Sequence, residues 1–179
     1  MDSTILALLN HNNTRAEEKE LLNELGEIYG FHFVELIKRI LKKTIAIFCG
    51  TTKNITDGII NDFTPSSSCL LINTVLYGKT FENKTSKTFD FRLIYSYFIG
   101  YDSITIINPT EFTGNKFFDC KIVVIDMPRE VNSFHVNFHF ENCANVTINC
   151  NNSSEKISIT KINSNVELIG FTDTNTFVS

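Results

Sequence analysis

The sequence predicts a mainly β protein with an α-helical N-terminal region, in which the β part is a short parallel β-solenoid. Two observations support this fold class. A phrase of nine residues recurs about every 20 residues in the second half of the chain, and short runs of alternating β-branched and aromatic residues fill the same region. Repeats of this length are typical of stacked units, each of which needs its neighbours to bury its apolar face.

The repeated phrase places an aromatic residue first in three copies, a small or aromatic residue three positions later, and two aliphatic residues further on. Successive copies begin 19, 23 and 20 residues apart. Equivalent residues of successive coils in a solenoid lie above one another, so the copies predict ladders of like side chains. The copies are Phe98-x-x-Tyr101-x-x-Ile104-x-Ile106, Phe117-x-x-Cys120-x-x-Val123-x-Ile125, Phe140-x-x-Cys143-x-x-Val146-x-Ile148 and the divergent Thr160-x-x-Asn163-x-x-Val166-x-Leu168.

The β-rich repeat domain is predicted to span residues 69–179. Its strand-like runs are separated by Pro, Gly and Asn, which supply turn geometry because Asn tolerates a left-handed φ and Pro restricts φ. No helical periodicity interrupts the runs. A β-sandwich or jelly roll is the alternative, because the strands of those folds also recur at short intervals.

Residues 1–63 are predicted to form a helical region that serves anchoring or oligomerisation, joined to the β domain by a linker at residues 64–68. Thr14 and Glu17 have the spacing of a capping box at the start of a helix. The apolar residues that follow recur at helical spacing, which indicates one broad apolar stripe. Pro and a run of Ser mark the linker.

Composition excludes some classes of function. The net charge is −4 and the chain has no long basic segment, which disfavours nucleic-acid binding. No apolar run reaches the roughly 18 residues that a membrane span requires. The first residues lack a basic segment, so we expect synthesis in the cytosol without a signal peptide. Five cysteines without metal-type spacing indicate reduced, buried thiols.

A search for chemistry leads us to expect no catalytic residue, no cofactor and no metal. His135 and His139 lie on one side of a predicted strand, but four residues of strand separate them by about 13 Å, too far for one metal ion. The acidic residues near the repeat form no column of carboxylates such as glycan-cleaving enzymes use. Phosphate-binding and zinc-protease motifs do not occur in the sequence.

The segment from Phe140 to Cys150 (Phe-Glu-Asn-Cys-Ala-Asn-Val-Thr-Ile-Asn-Cys) resembles the coils of right-handed parallel β-helix proteins. The resemblance covers roughly residues 89–170 and implies stacked coils without a catalytic motif. A helical region before a small β-helix is also similar to bactofilins and to the domains of tubulin cofactor C and cyclase-associated protein, which implies a polymerising intracellular scaffold as one alternative function.

We therefore expect a non-enzymatic structural or adhesive module. The abundance of Asn, Ile, Lys and Phe is typical of AT-rich genomes and indicates a viral or phage virion component such as a fibre, spike or capsid-associated protein. A glycan-active enzyme or host-interaction factor is a further alternative. Self-association as a trimer or other homo-oligomer is the expected partnership, with a glycan or host receptor as a second partner. The predicted partner-binding residues are Leu21, Leu25, Tyr29, Phe33 and Leu36 on the helix, and His135, Asn137 and His139 on the strand.

Overall fold

The structure is a computed structural model that describes residues 2–9, 12–43, 47–49, 54–65, 68–83, 90–127, 136–150, 157–171 and 176–179. Three helices come first along the chain and fifteen short strands follow. The helices are α1 (Ser3–Leu9), α2 (Arg15–Tyr29) and α3 (Phe31–Leu41). The strands are β1 (Ile47–Cys49), β2 (Asn54–Asn61), β3 (Cys69–Tyr77), β4 (Thr80–Glu82), β5 (Phe91–Ile94), β6 (Tyr97–Ile99), β7 (Ser103–Ile107), β8 (Glu111–Thr113), β9 (Asn115–Phe118), β10 (Ile122–Met127), β11 (Val136–Glu141), β12 (Asn145–Cys150), β13 (Ile157–Ile162), β14 (Val166–Ile169) and β15 (Thr176–Val178).

The strands form two parallel sheets that wind into a β-solenoid of about four turns. Sheet A runs in the order β1, β2, β3, β6, β9, β11, β13, β15, with β5 and β8 continuing β6 and β9 on one side. Sheet B runs β4, β7, β10, β12, β14. From β3 to β14 successive coils contribute a strand to each sheet, and the strand pairs among the described residues are parallel. The predicted solenoid is thus confirmed, and the sandwich alternative, which requires antiparallel sheets, is wrong.

The repeated phrase produces the expected ladders. Strand register places Ile104, Val123, Val146 and Val166 opposite one another in sheet B. The rings of Phe98 and Phe117 stack with centroids 4.8 Å apart, and those of Phe117 and Phe140 are 5.0 Å apart. The ladder of rings ends at Phe140, because the residue opposite it in the next coil is Lys161, which has no ring. The sequence repeat placed Thr160 at this position, but Thr160 lies opposite His139.

One corner of the solenoid is built from residues with a left-handed backbone. Gly100, Asp119, Asn142 and Asn163 each follow a strand of sheet A and have φ between 49° and 69°. The side-chain amide of Asn142 donates a hydrogen bond to the carboxylate of Asp119 at 3.2 Å, and the side-chain amide of Asn163 donates to the side-chain oxygen of Asn142 at 3.3 Å. Short polar side chains therefore both tolerate the turn and connect successive coils.

The helices cover the outer face of the first coils of sheet A. Their apolar side chains form a second core with outward-facing residues of that sheet, separate from the core inside the solenoid. Thr14 and Glu17 form the predicted capping box at the start of α2. None of the helices within the described residues combines the length and the apolar character that crossing a membrane requires.

The strands before and after the segment expected to link two domains belong to the same sheet. β2 and β3 stand on either side of residues 64–68 and pair in register from Asn54 with Leu70 to Asn61 with Tyr77. Sheet A therefore continues across the expected boundary, with β1 and β2 contributed by residues assigned to the helical region.

Candidate functional site

The outer face of sheet A changes character from one end of the solenoid to the other. In one column of side chains, the residues of the first coils are apolar and lie beneath the helices, whereas those of the later coils are polar and partly exposed. The helices end above the change, so a groove runs beside α3 where the covered and open parts meet. The column consists of Ile59, Val75, Tyr97, Lys116, His139 and Thr160.

The partner-binding residues predicted on the helices lie in the chain's own core. Leu25, Tyr29, Phe33 and Leu36 are buried, and Leu21 is partly buried. Sheet A covers the apolar stripe of the helices, so these buried side chains are not accessible to another protein in this conformation. The rings of Tyr29 and Phe33 lie 4.5 Å apart and both also contact the sheet: Tyr29 lies 4.9 Å from Phe118, and Phe33 lies 4.9 Å from Tyr97.

The residues predicted on the strand lie at the open part of the same face. Asn137 is exposed and lines the groove. His139 is partly buried, with its Nε2 atom 3.1 Å from a carboxylate oxygen of Glu141 and its ring 5.4 Å from that of Phe118. His135 lies outside the described residues. Of the predicted partner-binding residues, Leu36 on α3 and Asn137 on the sheet line the groove, whereas Arg39, Tyr95 and Lys116 were not identified from the sequence.

The groove has a volume of about 510 Å³. One wall is α3 and the other is the outer face of sheet A near the bends between β5 and β6 and between β8 and β9. Both walls carry aromatic or charged side chains, which distinguishes the groove from a gap between apolar surfaces. The aromatic, amide and charged side chains that line it include His32 and Arg39 on α3, and Tyr95, Tyr97, Lys116 and Asn137 on the sheet.

The charged side chains that line the groove are Lys116 on the sheet and Arg39 and Glu35 on α3. The Lys116 ammonium lies 5.4 Å from the centre of the Tyr97 ring, and burial lowers the pKa of this lysine. Burial also raises the pKa of Tyr97 to about 12, so its hydroxyl stays neutral. On the opposite wall Arg39 lies 3.3 Å from Asp57. Glu35, the acidic residue of that wall, is neutralised by Lys38 at 2.8 Å.

Tyr95 occupies a backbone position that suits few residues. Its φ is +51°, and its counterparts in the neighbouring coils are Asp57, Asn73 and Gly114, which also have positive φ. Asp, Asn and Gly tolerate this conformation, whereas a bulky aromatic residue there is an outlier. A Cβ atom on Gly114 would lie 2.2 Å from the Tyr95 ring, so the ring depends on glycine beside it. From sequence, the unusual backbone position of Tyr95 could have been recognised only by aligning it with the turn residues Asp57, Asn73 and Gly114 of the neighbouring coils.

Buried polar residues hold the bend of sheet A below the groove. The Asn115 side chain accepts from the Ser96 amide at 3.0 Å and donates to the Leu93 carbonyl at 3.0 Å. Ser96 and Thr74 stand in the equivalent positions of the preceding coils, fully buried as Asn115 is. These side chains replace the backbone hydrogen bonds that the bend interrupts, and so they position Tyr95 and Lys116 on either side of it.

A second exposed region is the C-terminal coil, formed by β13, β14 and β15. Val166 and Leu168 are the last rungs of the ladders inside sheet B, and they are only partly buried, whereas the rungs before them are fully enclosed. Val178, opposite Ile159, is 47% exposed, and Ile169 is 48% exposed. The solenoid core thus reaches the surface at this end.

The cysteines are elements of the core. Cys69, Cys120 and Cys143 are buried thiols, and no three potential metal ligands cluster among the described residues. The Cys120 thiol contacts the backbone carbonyl of Phe118 at 3.3 Å, and burial beside Cys143 raises its pKa. The expected ladder of small thiols is therefore present in consecutive coils.

Comparisons with known proteins add no family or activity to this geometry. No family model matches the chain, and neither the curated proteins nor the solved structures gave a match. The groove beside α3 and the exposed C-terminal coil are therefore the features on which a function can be based.

Proposed function

We propose that this protein is a non-enzymatic structural module that assembles with a second copy of itself through the C-terminal coil. The observation that supports this most strongly is the exposure of the last rungs of the core ladders. Val166 and Leu168 continue columns that are otherwise fully buried, and apolar surface of this kind is stabilised by removal from water. β14 is also a terminal strand, paired with β12 alone among the described residues.

Among the described residues, the two ends of sheet B differ, which favours a closed dimer. At the N-terminal end, Phe81 is the first rung of its ladder and is fully buried, with the ring of Phe63 6.2 Å away. A head-to-tail filament would need exposed core at both ends, whereas a tail-to-tail contact needs it at one end only. A contact that uses the same surface on both copies closes after two subunits. The edge of β14 offers such a contact, because two copies of an edge strand can pair antiparallel.

A non-enzymatic role is supported by the state of two thiols, Cys69 and Cys120, whereas the hydrogen bond with Cys120 lowers the pKa of Cys143. Burial and the nearby Asp90 raise the pKa of Cys69 to about 12, and the pKa of Cys120 is raised as well. Thiolate rather than thiol is the nucleophile, so these groups are poorly suited to covalent catalysis at neutral pH. The setting of a virus or phage particle is a proposal that rests on composition, and so is a host receptor or glycan as a further partner.

The test is the mass of the purified protein in solution, measured by light scattering over a range of concentrations. We expect twice the chain mass of 20.4 kDa. Ile169→Asp places a charge at the proposed contact and should shift the mass towards the monomer. Ile122→Asp is the matched control, because Ile122 is 46% exposed and lies on the same sheet, two coils before β14.

Three results would overturn the proposal. A monomer at all concentrations would show that the C-terminal coil has no partner copy. Filaments would favour the scaffold alternative, in which both ends engage. Equal dissociation by Ile169→Asp and Ile122→Asp would place the contact elsewhere on the molecule.

A further inference from the structure

We propose that the groove between α3 and sheet A binds a small ligand in which a flat ring carries a carboxylate or phosphate group. The anionic group would lie between Lys116 and Arg39, and the ring would lie against Tyr95. This inference is independent of the tail-to-tail dimer, because the groove lies on the outer face of the solenoid and the C-terminal coil at its end.

The anionic group is inferred from Lys116. Its ammonium is partly withdrawn from water, yet no carboxylate among the described residues lies within ion-pair distance of it. The Tyr97 ring at 5.4 Å offers a cation–π contact, which compensates a desolvated ammonium only in part. An anion in the groove would supply the missing countercharge, and burial would strengthen that attraction.

Arg39 provides a second positive group from the opposite wall. Its Nη2 atom lies 3.3 Å from Oδ1 of Asp57 without a hydrogen bond between them, and its side chain stays 51% exposed. A guanidinium has five donors, so Arg39 retains donors for a ligand beside Asp57. Carboxylates and phosphates match this planar arrangement of donors, and two cations on facing walls favour an anion between them.

The ring is inferred from Tyr95. A bulky residue with positive φ costs free energy, and such strain persists in functional sites. Core packing does not repay the cost here, because Tyr95 is 55% exposed. Its ring lines the groove and lies against Gly114, whose missing Cβ makes the space. A flat ligand could stack on this ring with the offset geometry that aromatic pairs prefer.

The size of the groove agrees with a small molecule. Its volume of about 510 Å³ falls within the range of roughly 300–1,000 Å³ that ligand pockets occupy. The walls combine two tyrosine rings with charged and amide side chains, which suits a ligand that carries an anionic group on a ring. Asn137 lies at the open side, where its amide can donate to the anionic group or accept from the ring substituents.

The test is a titration of the full-length protein with phenyl phosphate, benzoate, inorganic phosphate and the neutral benzyl alcohol, followed by amide chemical shifts. We expect phenyl phosphate and benzoate to shift the amides around Tyr95, Lys116 and Arg39. Benzyl alcohol and inorganic phosphate should each bind at least about tenfold more weakly, since each lacks one of the two interactions. The ratio between phenyl phosphate and benzoate identifies which anion the site prefers.

Two substitutions separate binding from folding. Lys116→Gln should weaken phenyl phosphate binding about tenfold, whereas Lys121→Gln, which removes an exposed lysine paired with Asp102 on sheet B, should leave it unchanged. Tyr95→Asn places at this bend the residue that Asn73 supplies one coil earlier. It should keep or raise the melting temperature while weakening binding.

Several outcomes would overturn the proposal. Absent shifts, shifts scattered over the surface, or equal binding of benzyl alcohol and phenyl phosphate would exclude an anion site in the groove. A lower melting temperature for Tyr95→Asn with unchanged binding would show that Tyr95 serves the fold rather than a ligand.

Discussion

Two glycines with left-handed backbones show how much a single atom matters in a tightly wound coil. Gly100 and Gly170 have φ of 69° and 78°. A Cβ atom added to Gly100 would meet nothing within 4 Å, whereas one added to Gly170 would lie 2.2 Å from the carbonyl oxygen of Cys150. The two positions therefore share the backbone requirement and differ in the space available.

We predict that Gly100→Ala lowers the free energy of unfolding by about 1 kcal/mol, the cost of a left-handed L-residue. Gly170→Ala should lower it by about 3 kcal/mol, because the backbone of the neighbouring coil must also move. Urea unfolding monitored by circular dichroism would measure both. Gly100→Asn is the control, since Asn142 and Asn163 occupy equivalent corners, and it should be close to neutral. Equal losses for the two alanine variants would contradict the role of the Cys150 carbonyl.

At the same scale, the sequence predicted the core but not the groove. Phe98, Phe117 and Phe140 could be aligned because a solenoid core repeats residue types at fixed positions. Tyr95 and Lys116 could not be predicted in this way, because each differs from the equivalent residues of neighbouring coils. Tyr95 stands where those coils have Asp, Asn or Gly. Lys116 stands where the three preceding coils have Ile59, Val75 and Tyr97. A repeat shows what the coils share, and a binding site is made where one coil differs from the others.

The elements were predicted to different degrees. Helix α2 begins at its capping box as predicted, because that signal is local and involves two residues three positions apart. The surface that covers the helices could not be predicted. An apolar stripe indicates that a helix packs against another apolar surface, but it does not identify that surface as sheet A. Ser96 and Asn115 were also missed, since a polar residue buried at a bend in a sheet looks in sequence like a surface residue.

The capping box of α2 makes the stability of the N-terminal region depend on pH. Glu17 accepts from the backbone amide and the hydroxyl of Thr14, each at 2.7 Å, and these hydrogen bonds lower the pKa of its carboxyl. A carboxylate whose pKa is lower in the folded state stabilises the fold above its unfolded pKa. That contribution is lost as the pH falls through the folded pKa.

We predict that Thr14→Ala lowers the free energy of unfolding by about 1 kcal/mol at neutral pH, the usual value of an N-cap hydroxyl. Glu17→Gln should lower the melting temperature at neutral pH, and the difference from the unaltered protein should vanish as the pH falls below about 4. Glu20→Gln, an exposed change in the same helix, should show a smaller dependence. Parallel pH profiles for the two glutamine variants would show that the box does not act through Glu17.

On the scale of the whole molecule, the helices and the solenoid share one set of contacts. The helical core includes Ile59, Val75 and Phe118 from sheet A, so the apolar outer face of the first coils is covered by residues earlier in the chain. The sequence placed a boundary at residues 64–68 because Pro and Ser there resemble a linker. The composition of residues 64–68 does not indicate that β2 before them pairs with β3 after them.

This sharing predicts a single cooperative unfolding transition for the whole chain. A fragment of residues 69–179 would lack β2, which pairs along the length of β3, and would expose Val75, Tyr97 and Phe118 to water. We expect that fragment to aggregate or to bind a hydrophobic dye, whereas the full chain unfolds with matching helical and strand signals in circular dichroism. Phe33→Ala is the companion test, because Phe33 is fully buried between α3 and the sheet and its loss should cost about 3–5 kcal/mol. If the two regions are one unit, this substitution must lower the midpoint of the strand signal as much as that of the helical signal. A soluble fragment with native strand content, or a strand midpoint unmoved by Phe33→Ala, would instead establish two separately folding domains.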